Sequence, residues 1–275
     1  MVGTAALTSV CARWGLTPAE ALTGSGSGTW AVRRDGVPLV LKFHASPSWE
    51  YELASAAALR SLGWPTPSPL EVGDDGWVLY SRLPGVAARS DDRLVRGRLL
   101  GALHLAAAEC GLTAPRPGFP SPASVVGDPV LGRLLRSYAR SDPDSGAVLL
   151  DGLESAAGWF ADHPVVDVPR SVIHGDFAPW NLLFADGRLS GVLDFEASHY
   201  TFQVADFALA WRGYQDDVIR GYDSVRPLSD LEWQLIRPVY QAWLFLGVRA
   251  ALESGGPADL SWQVAHLRKK SALVG

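Results

Sequence analysis

The chain has 275 residues, 48% of them apolar and 19% charged, enough to bury a substantial core as one domain or two lobes. Its net charge of −5 argues against nucleic acid as a main partner and is compatible with a cationic small molecule. Two cysteines, Cys11 and Cys110, supply neither a disulfide framework nor metal-ligand spacing, which suits the cytosol.

In chain order, Met1 to Leu16 has no basic segment leading into a long apolar run, so it does not read as a secretory signal. Gly24-Ser25-Gly26-Ser27-Gly28-Thr29 then precedes Trp30-Ala31-Val32 and Val37 to Phe43, with Asp35-Gly36 between the two runs as a two-residue hairpin loop. That register places Thr29 opposite Lys42 and brings Gly28 close to it. Glycines let backbone N–H groups approach phosphate oxygens, and a lysine adds a compact positive charge at the same end of the ribbon. Taken alone, the Gly-Ser run is equally a flexible linker, and a lysine in an apolar strand usually snorkels to solvent. No Gly-Lys-Ser/Thr follows, so the loop is not a Walker A sequence.

Trp49 to Leu62 is predicted as a helix, ended by Gly63 with Pro65 beyond. Glu52, Ser55, Leu59 and Leu62 fall on one face. Glu52 can reach back to Lys42; Glu50 competes, and a solvated glutamate is the alternative. Residues 1–82 thus alternate strand-like runs with one clear helix and form an N-terminal lobe. Residues 83–275 form a mainly helical C-terminal lobe: Arg93 to Ala108, Leu131 to Ala139 and Leu149 to Ala161 read as helices. Ala114 to Pro129, rich in Pro, Gly and Ser, reads as loop, and Val239 to Ala251 as a buried helix too short and too interrupted to span a membrane.

The densest chemistry lies in His174-Gly175-Asp176-Phe177-Ala178-Pro179-Trp180-Asn181 and Val192-Leu193-Asp194-Phe195-Glu196. Leu182-Leu183-Phe184 and Leu189 to Leu193 have strand length, and Asp186-Gly187 is a hairpin loop. Counting from that loop, Ala185 faces Arg188, Asn181 faces Val192 and Asp194 faces Pro179. Asn181 and Asp194 then share the open end of the hairpin, roughly 7 Å apart along the strand. An oxygen from each can meet on one Mg²⁺, a hard ion that keeps phosphate as a further ligand. Asp176, in the loop upstream, is free to accept a proton from an incoming hydroxyl. This is the equipment of metal-assisted phosphoryl transfer; His174 reads as a brace for the loop.

These residues resemble the aminoglycoside phosphotransferase and choline kinase-like family. The matching pieces are Leu41-Lys42, Leu59-Arg60-Ser61-Leu62, Pro65-Thr66-Pro67, Val78-Leu79-Tyr80-Ser81-Arg82-Leu83-Pro84-Gly85, Leu99 to His104, the 174–196 block and Ala205-Asp206-Phe207-Ala208. The resemblance implies an α+β, bilobal protein-kinase-like fold with a small β-rich lobe and a larger helical one. It implies Asp176 as the catalytic aspartate, Asn181 and Asp194 as magnesium ligands, Lys42 on the phosphates, and backbone groups of Ser81 and Leu83 toward the adenine of ATP. Two departures stand out: Ser55 occupies the place of the family's helix glutamate, with Glu52 one turn earlier, and Tyr80-Ser81 stands where Met-Glu is common.

The expected cofactors are ATP and Mg²⁺, with Gly26, Ser27, Gly28, Lys42, Glu52, Ser81 and Leu83 around the nucleotide, which would lie between the lobes. Gly175 and Glu196 replace residues that protein kinases use, which steers away from a protein substrate and toward a small hydroxyl acceptor. An antibiotic or other aminated acceptor is the leading reading, with Asp206, Asp216, Asp217, Asp223 and Glu232 as an acidic supply. Choline, homoserine, sugar or ketosamine kinases are the alternative. A nucleotide-binding module without catalysis and a metal-dependent hydrolase built on His174, Asp176, Asp194 and His199 are more remote.

Overall fold

The computed structural model describes residues 4–22, 28–88, 92–208, 215–254, 258–269 and 271–274. The chain divides into two compact units, Met1–Ser90 with Ala178–Ser198, and Asp91–Phe177 with His199–Gly275. A single cut at 82/83 therefore misplaces the 178–198 segment, which belongs with the first unit.

In the first unit, β1 (Thr17–Ala21), β2 (Thr29–Arg34), β3 (Val37–Phe43), β4 (Pro69–Val72) and β5 (Trp77–Ser81) make an antiparallel sheet in the order β1-β2-β3-β5-β4. Asp35 and Gly36 both have positive φ, 52° and 81°, as a primed hairpin turn requires. The expected register holds: Thr29 pairs with Lys42, and the Gly28 carbonyl accepts from the Phe43 N–H at 2.8 Å. One face of the sheet buries Val32, Leu39, Leu41 and Leu79. Here the structure adds a helix that the sequence reading lacked, α1 (Thr4–Arg13). Leu7, Val10, Cys11 and Trp14 recur at three- and four-residue steps and pack on that core.

The other expected helix is present as α2 (Trp49–Ser61), followed by Gly63 at φ 87°. Its buried residues are Glu52, Ser55, Ala56 and Leu59, so two polar side chains go inward with the apolar ones. After α2 comes β6 (Val86–Ala87). It pairs with the first strand of the 182–192 hairpin, which attaches that hairpin to this unit. The Val192 N–H also donates to the Pro65 carbonyl at 2.8 Å.

The second unit is helical apart from one antiparallel pair, β7 (Arg170–Ile173) with β10 (His199–Phe202). Its helices are α3 (Arg93–Ala107), α4 (Pro122–Val126), α5 (Pro129–Ser141), α6 (Pro143–Asp162), α7 (Asp216–Asp223), α8 (Asp230–Glu253) and α9 (Ser261–Arg268). α4 lies inside the stretch expected as pure loop: Ser121 caps it by accepting from the Ser124 N–H, and Pro122 supplies the first helical position. The same cap-then-proline pattern starts α5 at Asp128 and α6 at Asp142. The apolar run from Val239 is the middle of α8, a 24-residue helix begun by a capping box of Ser229 and Glu232. Among the described residues no helix is long and apolar enough to cross a membrane.

α3 and α7 cross at two glycines. A Cβ on Gly97 would collide with the Val218 carbonyl oxygen and stand 2.8 Å from the Tyr222 nitrogen, and one on Gly221 would collide with the Leu94 carbonyl. The backbones touch where neither helix has a side chain. Gly97→Ala and Gly221→Ala should each lower stability by about 3 kcal/mol, because backbone cannot yield as a side chain can. By contrast Gly158, on an exposed position of α6 with open space around its would-be Cβ, should gain about 0.5–1 kcal/mol as alanine. Thermal unfolding of the three variants checks both signs.

Candidate active site

The second hairpin consists of β8 (Leu182–Ala185) and β9 (Arg188–Val192), joined by Asp186 and Gly187 at φ 50° and 73°. Near the turn the register is as counted, with Ala185 opposite Arg188 and Phe184 opposite Leu189. It then slips by one. Leu183 faces Gly191 and Leu182 faces Val192, so Ser190 is the extra residue of a bulge. The Ser190 hydroxyl donates to the Pro84 carbonyl at 2.7 Å. Asn181 therefore lies opposite Leu193, not Val192, and the Leu193 N–H donates to the Asn181 carbonyl at 2.8 Å. The slip draws Asp194 one residue closer to Asn181 along the strand than uninterrupted pairing would allow.

Asn181 ends a single 3₁₀ turn, Pro179–Asn181, and is buried. Asp194 has φ 61°, a left-handed conformation uncommon for a residue with a side chain and characteristic of functional loops. Its Oδ1 accepts from the Lys42 Nζ at 2.9 Å, and the Glu196 Oε1 lies 2.7 Å from the same nitrogen. Burial works to lower the Lys42 pKa, but the charges and hydrogen bonds of Asp194 and Glu196 outweigh it, so the ammonium lies above the ordinary lysine value and keeps its proton. Asn181 and Asp194 thus share one end of the hairpin, and Lys42 meets Asp194, a pairing that the sequence reading did not contain. Glu196 is the addition; the sequence reading used it only to argue against protein substrates.

The expected Lys42–Glu52 pair is replaced. Glu52, 2% exposed, bonds through Oε2 to His44 Nδ1 at 2.7 Å, while Lys42 turns to Asp194 and Glu196. His44 follows β3 directly and faces α2, which is why it reaches Glu52 first. The competing Glu50 is exposed. Ser55, at the family's glutamate position, donates to the Tyr51 carbonyl at 2.8 Å. Ser81 closes β5, its N–H donating to the Ser68 carbonyl at 3.1 Å, and Leu83 follows half-buried. Gly28 sits at the mouth of the first hairpin; Gly26 and Ser27 lie outside the described residues.

The second unit carries Asp176, partly exposed in the loop after β7. The loop is held by backbone donors on a buried carboxylate. Asp206 accepts from the His174 N–H at 2.8 Å and the Gly175 N–H at 2.9 Å, with Gly175 at φ 80°. The Asp176 N–H donates to His174 Nδ1 at 3.2 Å, and Arg96 donates to the Phe177 carbonyl at 3.3 Å. Burial alone would raise the Asp206 pKa. The hydrogen bond and charge of His104, 3.1 Å away, together with the His174 N–H, outweigh it and hold the carboxyl below its usual range. His174 is fully buried, a brace for the loop, and His199 packs its ring on Phe119 at 4.8 Å; among the described residues no group of three or more His, Cys, Asp or Glu is gathered as a metal site.

The acidic supply expected for an aminated acceptor is largely engaged in the fold. Asp206 holds the loop, Asp216 accepts from Ser271, Asp223 from the Leu228 N–H, and buried Glu232 pairs with Arg226 and closes the α8 cap. Arg96 and His104 escaped notice because a buried polar side chain that serves a distant loop leaves no local pattern.

What the arrangement can do chemically is set by donor type. A carboxylate and an amide oxygen at one hairpin end are hard donors of the kind magnesium takes, with positions left for phosphate. The Lys42 ammonium on Asp194 Oδ1 shows that a cation fits against that carboxylate. Known proteins agree with this architecture. A thermostable mutant of aminoglycoside phosphotransferase APH(4)-Ia, in ternary complex with ADP and hygromycin B, superposes with a TM-score of 0.70 over 96% of this chain and 97% of its own, at 18% identity. Amicoumacin kinase hAmiN, in complex with AMP-PNP, Ca²⁺ and Ami, does so with a TM-score of 0.65 over 98% and 92%, at 14% identity. In sequence the chain is 33% identical to homoserine kinase of Gluconobacter oxydans (strain 621H) over 195 residues, 65% of this chain and 56% of that one. The chain thus spans just over half the length of this curated relative. The model of the phosphotransferase enzyme family, APH, matches residues 19–232, most of the chain, and the chain belongs to that family.

Proposed function

We propose that the chain is an ATP- and Mg²⁺-dependent phosphotransferase that moves the γ-phosphoryl group to a hydroxyl of a small molecule. The observation that carries this reading is the ion pair of Lys42 with Asp194, at the hairpin end where Asn181 bonds Leu193, the residue before Asp194. Asn181 and Asp194 would hold the metal. Bound there, magnesium neutralises phosphate charge and orients the transferring group. Lys42, released from the carboxylates, turns its ammonium to the phosphates, and Gly26, Ser27 and Gly28 present backbone N–H groups to them. Ser81 lends its carbonyl, since its N–H already donates to Ser68, and Leu83 lends backbone groups to the adenine. Asp176 orients the acceptor hydroxyl and takes its proton. Catalysis is then mostly positioning and charge stabilisation, because the transition state is loose and anionic. An ATP-consuming reaction of this kind is at home in the cytosol.

For the acceptor, the first candidate is a small amino-acid alcohol of the homoserine type. The support is sequence identity well above that of the antibiotic kinases of like fold, together with the use of the acidic residues in structural bonds. An aminoglycoside such as hygromycin B is the second candidate. An ATP-consumption assay over homoserine, choline, ketosamines and aminoglycosides decides. Asp176→Asn should cut turnover of the active acceptor by about 10³-fold while nucleotide affinity stays near wild type; near-normal turnover removes Asp176 from the chemistry. Asp194→Ala should abolish the Mg²⁺ dependence of AMP-PNP binding measured by calorimetry, and unchanged binding would exclude Asp194 as a metal ligand.

A further inference from the structure

Three buried polar side chains of the first unit form a network that neither the sheet nor the proposed chemistry requires. His44, 6% exposed, is bonded on both ring nitrogens: Nδ1 to Glu52 Oε2 at 2.7 Å and Nε2 to the Tyr80 hydroxyl at 2.8 Å. Glu52 comes from α2, Tyr80 from β5, and His44 from the residue after β3. Tyr80 pairs with Val40 across the sheet and immediately precedes Ser81. Trp49 flanks His44 with ring centroids 6.1 Å apart. The His44 N–H donates to the Gly76 carbonyl at 2.9 Å, and Gly76 has φ 81°, with the His44 carbonyl where a Cβ would be. The backbone around the ring is thus fixed as closely as its side chain.

We propose that His44 is a positioning residue for the nucleotide: it ties α2 to the end of β3 in place of a lysine–glutamate pair and, through Tyr80, holds the strand that leads into Ser81 and Leu83. The tie frees Lys42, two residues away, for Asp194 and for phosphate. Taking a hydrogen-bond partner from a buried carboxylate is destabilising locally, so the His44–Glu52 bond helps to hold α2 in place. The charged groups that act on Tyr80 are Glu52, Arg60 and Asp194; burial first and Glu52 next push its pKa up, so the phenol stays protonated and available to the ring. The inference rests on the reading of Lys42, Ser81 and Leu83 as nucleotide contacts.

The test is calorimetric binding of Mg²⁺–AMP-PNP alongside thermal unfolding. His44→Ala should weaken binding about tenfold. His44→Gln, whose amide can still donate to Glu52, should restore most of it. Tyr80→Phe should weaken binding less, and adding it to His44→Ala should cost little more, because the three groups act as one network. Wild-type-like affinity in folded His44→Ala, or full additivity with Tyr80→Phe, overturns the proposal. If His44→Ala does not fold, Tyr80→Phe decides, and unchanged affinity there overturns it. A wild-type chain that binds no Mg²⁺–AMP-PNP would instead overturn the reading on which it rests.

Discussion

The ammonium of Lys42, set against Asp194 and Glu196, is the interaction on which the arrangement of the first unit's candidate site depends. It links the end of β3 to the end of the 182–192 hairpin, two ribbons far apart in sequence. Each ribbon delivers its residue by the same device, an Asp-Gly turn with positive φ at both positions, so the pairing register places Lys42 beside Gly28 and Asn181 beside Leu193. The ion bridge fixes where those two ends meet. The two carboxylates keep the ammonium protonated despite its burial, so the charge at this junction is fixed.

Around that bridge, acidic side chains are separated by task. Asp194 and Glu196 are partly exposed and face the lysine. Glu52 is buried and answered by histidine. Had Glu52 bonded Lys42 as well, three carboxylates would have crowded one ammonium, with repulsion among them. His44 takes one carboxylate out of that competition.

Much of this was legible in the sequence because it follows local rules. The two hairpins, their registers near the turns and the periodicity of α2 follow from Asp-Gly pairs and apolar spacing, and counting brings Asn181 near Asp194 on one ribbon and Lys42 near Gly28 on the other. What was not legible depends on tertiary contact. The Ser190 bulge arises because its hydroxyl finds the Pro84 carbonyl, over a hundred residues away in sequence, and no pattern in the strand announces it. The His44–Glu52 bond beats Lys42–Glu52 through side-chain direction at the end of β3. α1 has the periodicity of a helix but is short, and α4 hides in a Pro- and Ser-rich stretch whose residues are also good caps. The segment 178–198 joins the first unit through pairing with β6, a two-residue strand too short to read as one.

In the second unit the loop that carries Asp176 is placed by a chain of contacts that begins with two missing side chains. Gly97 and Gly221 let α3 and α7 approach to backbone contact. That approach brings Tyr222 of α7 to His104 of α3, hydroxyl to Nδ1, at 2.8 Å. His104 holds its other nitrogen on Asp206, and Asp206 takes the N–H groups of His174 and Gly175. Every link is buried, so each polar group must be answered or the cost is large. Asp206 can remain an anion in the core only because His104 and two backbone donors surround it, and the Gly175 N–H reaches it because glycine accepts φ 80°. The placement of the loop that leads into Asp176, the next residue, is therefore tied to the packing of α3 on α7. A methyl group added at the helix crossing acts on the loop through Tyr222 and His104, so stability and loop geometry in this unit are one constraint.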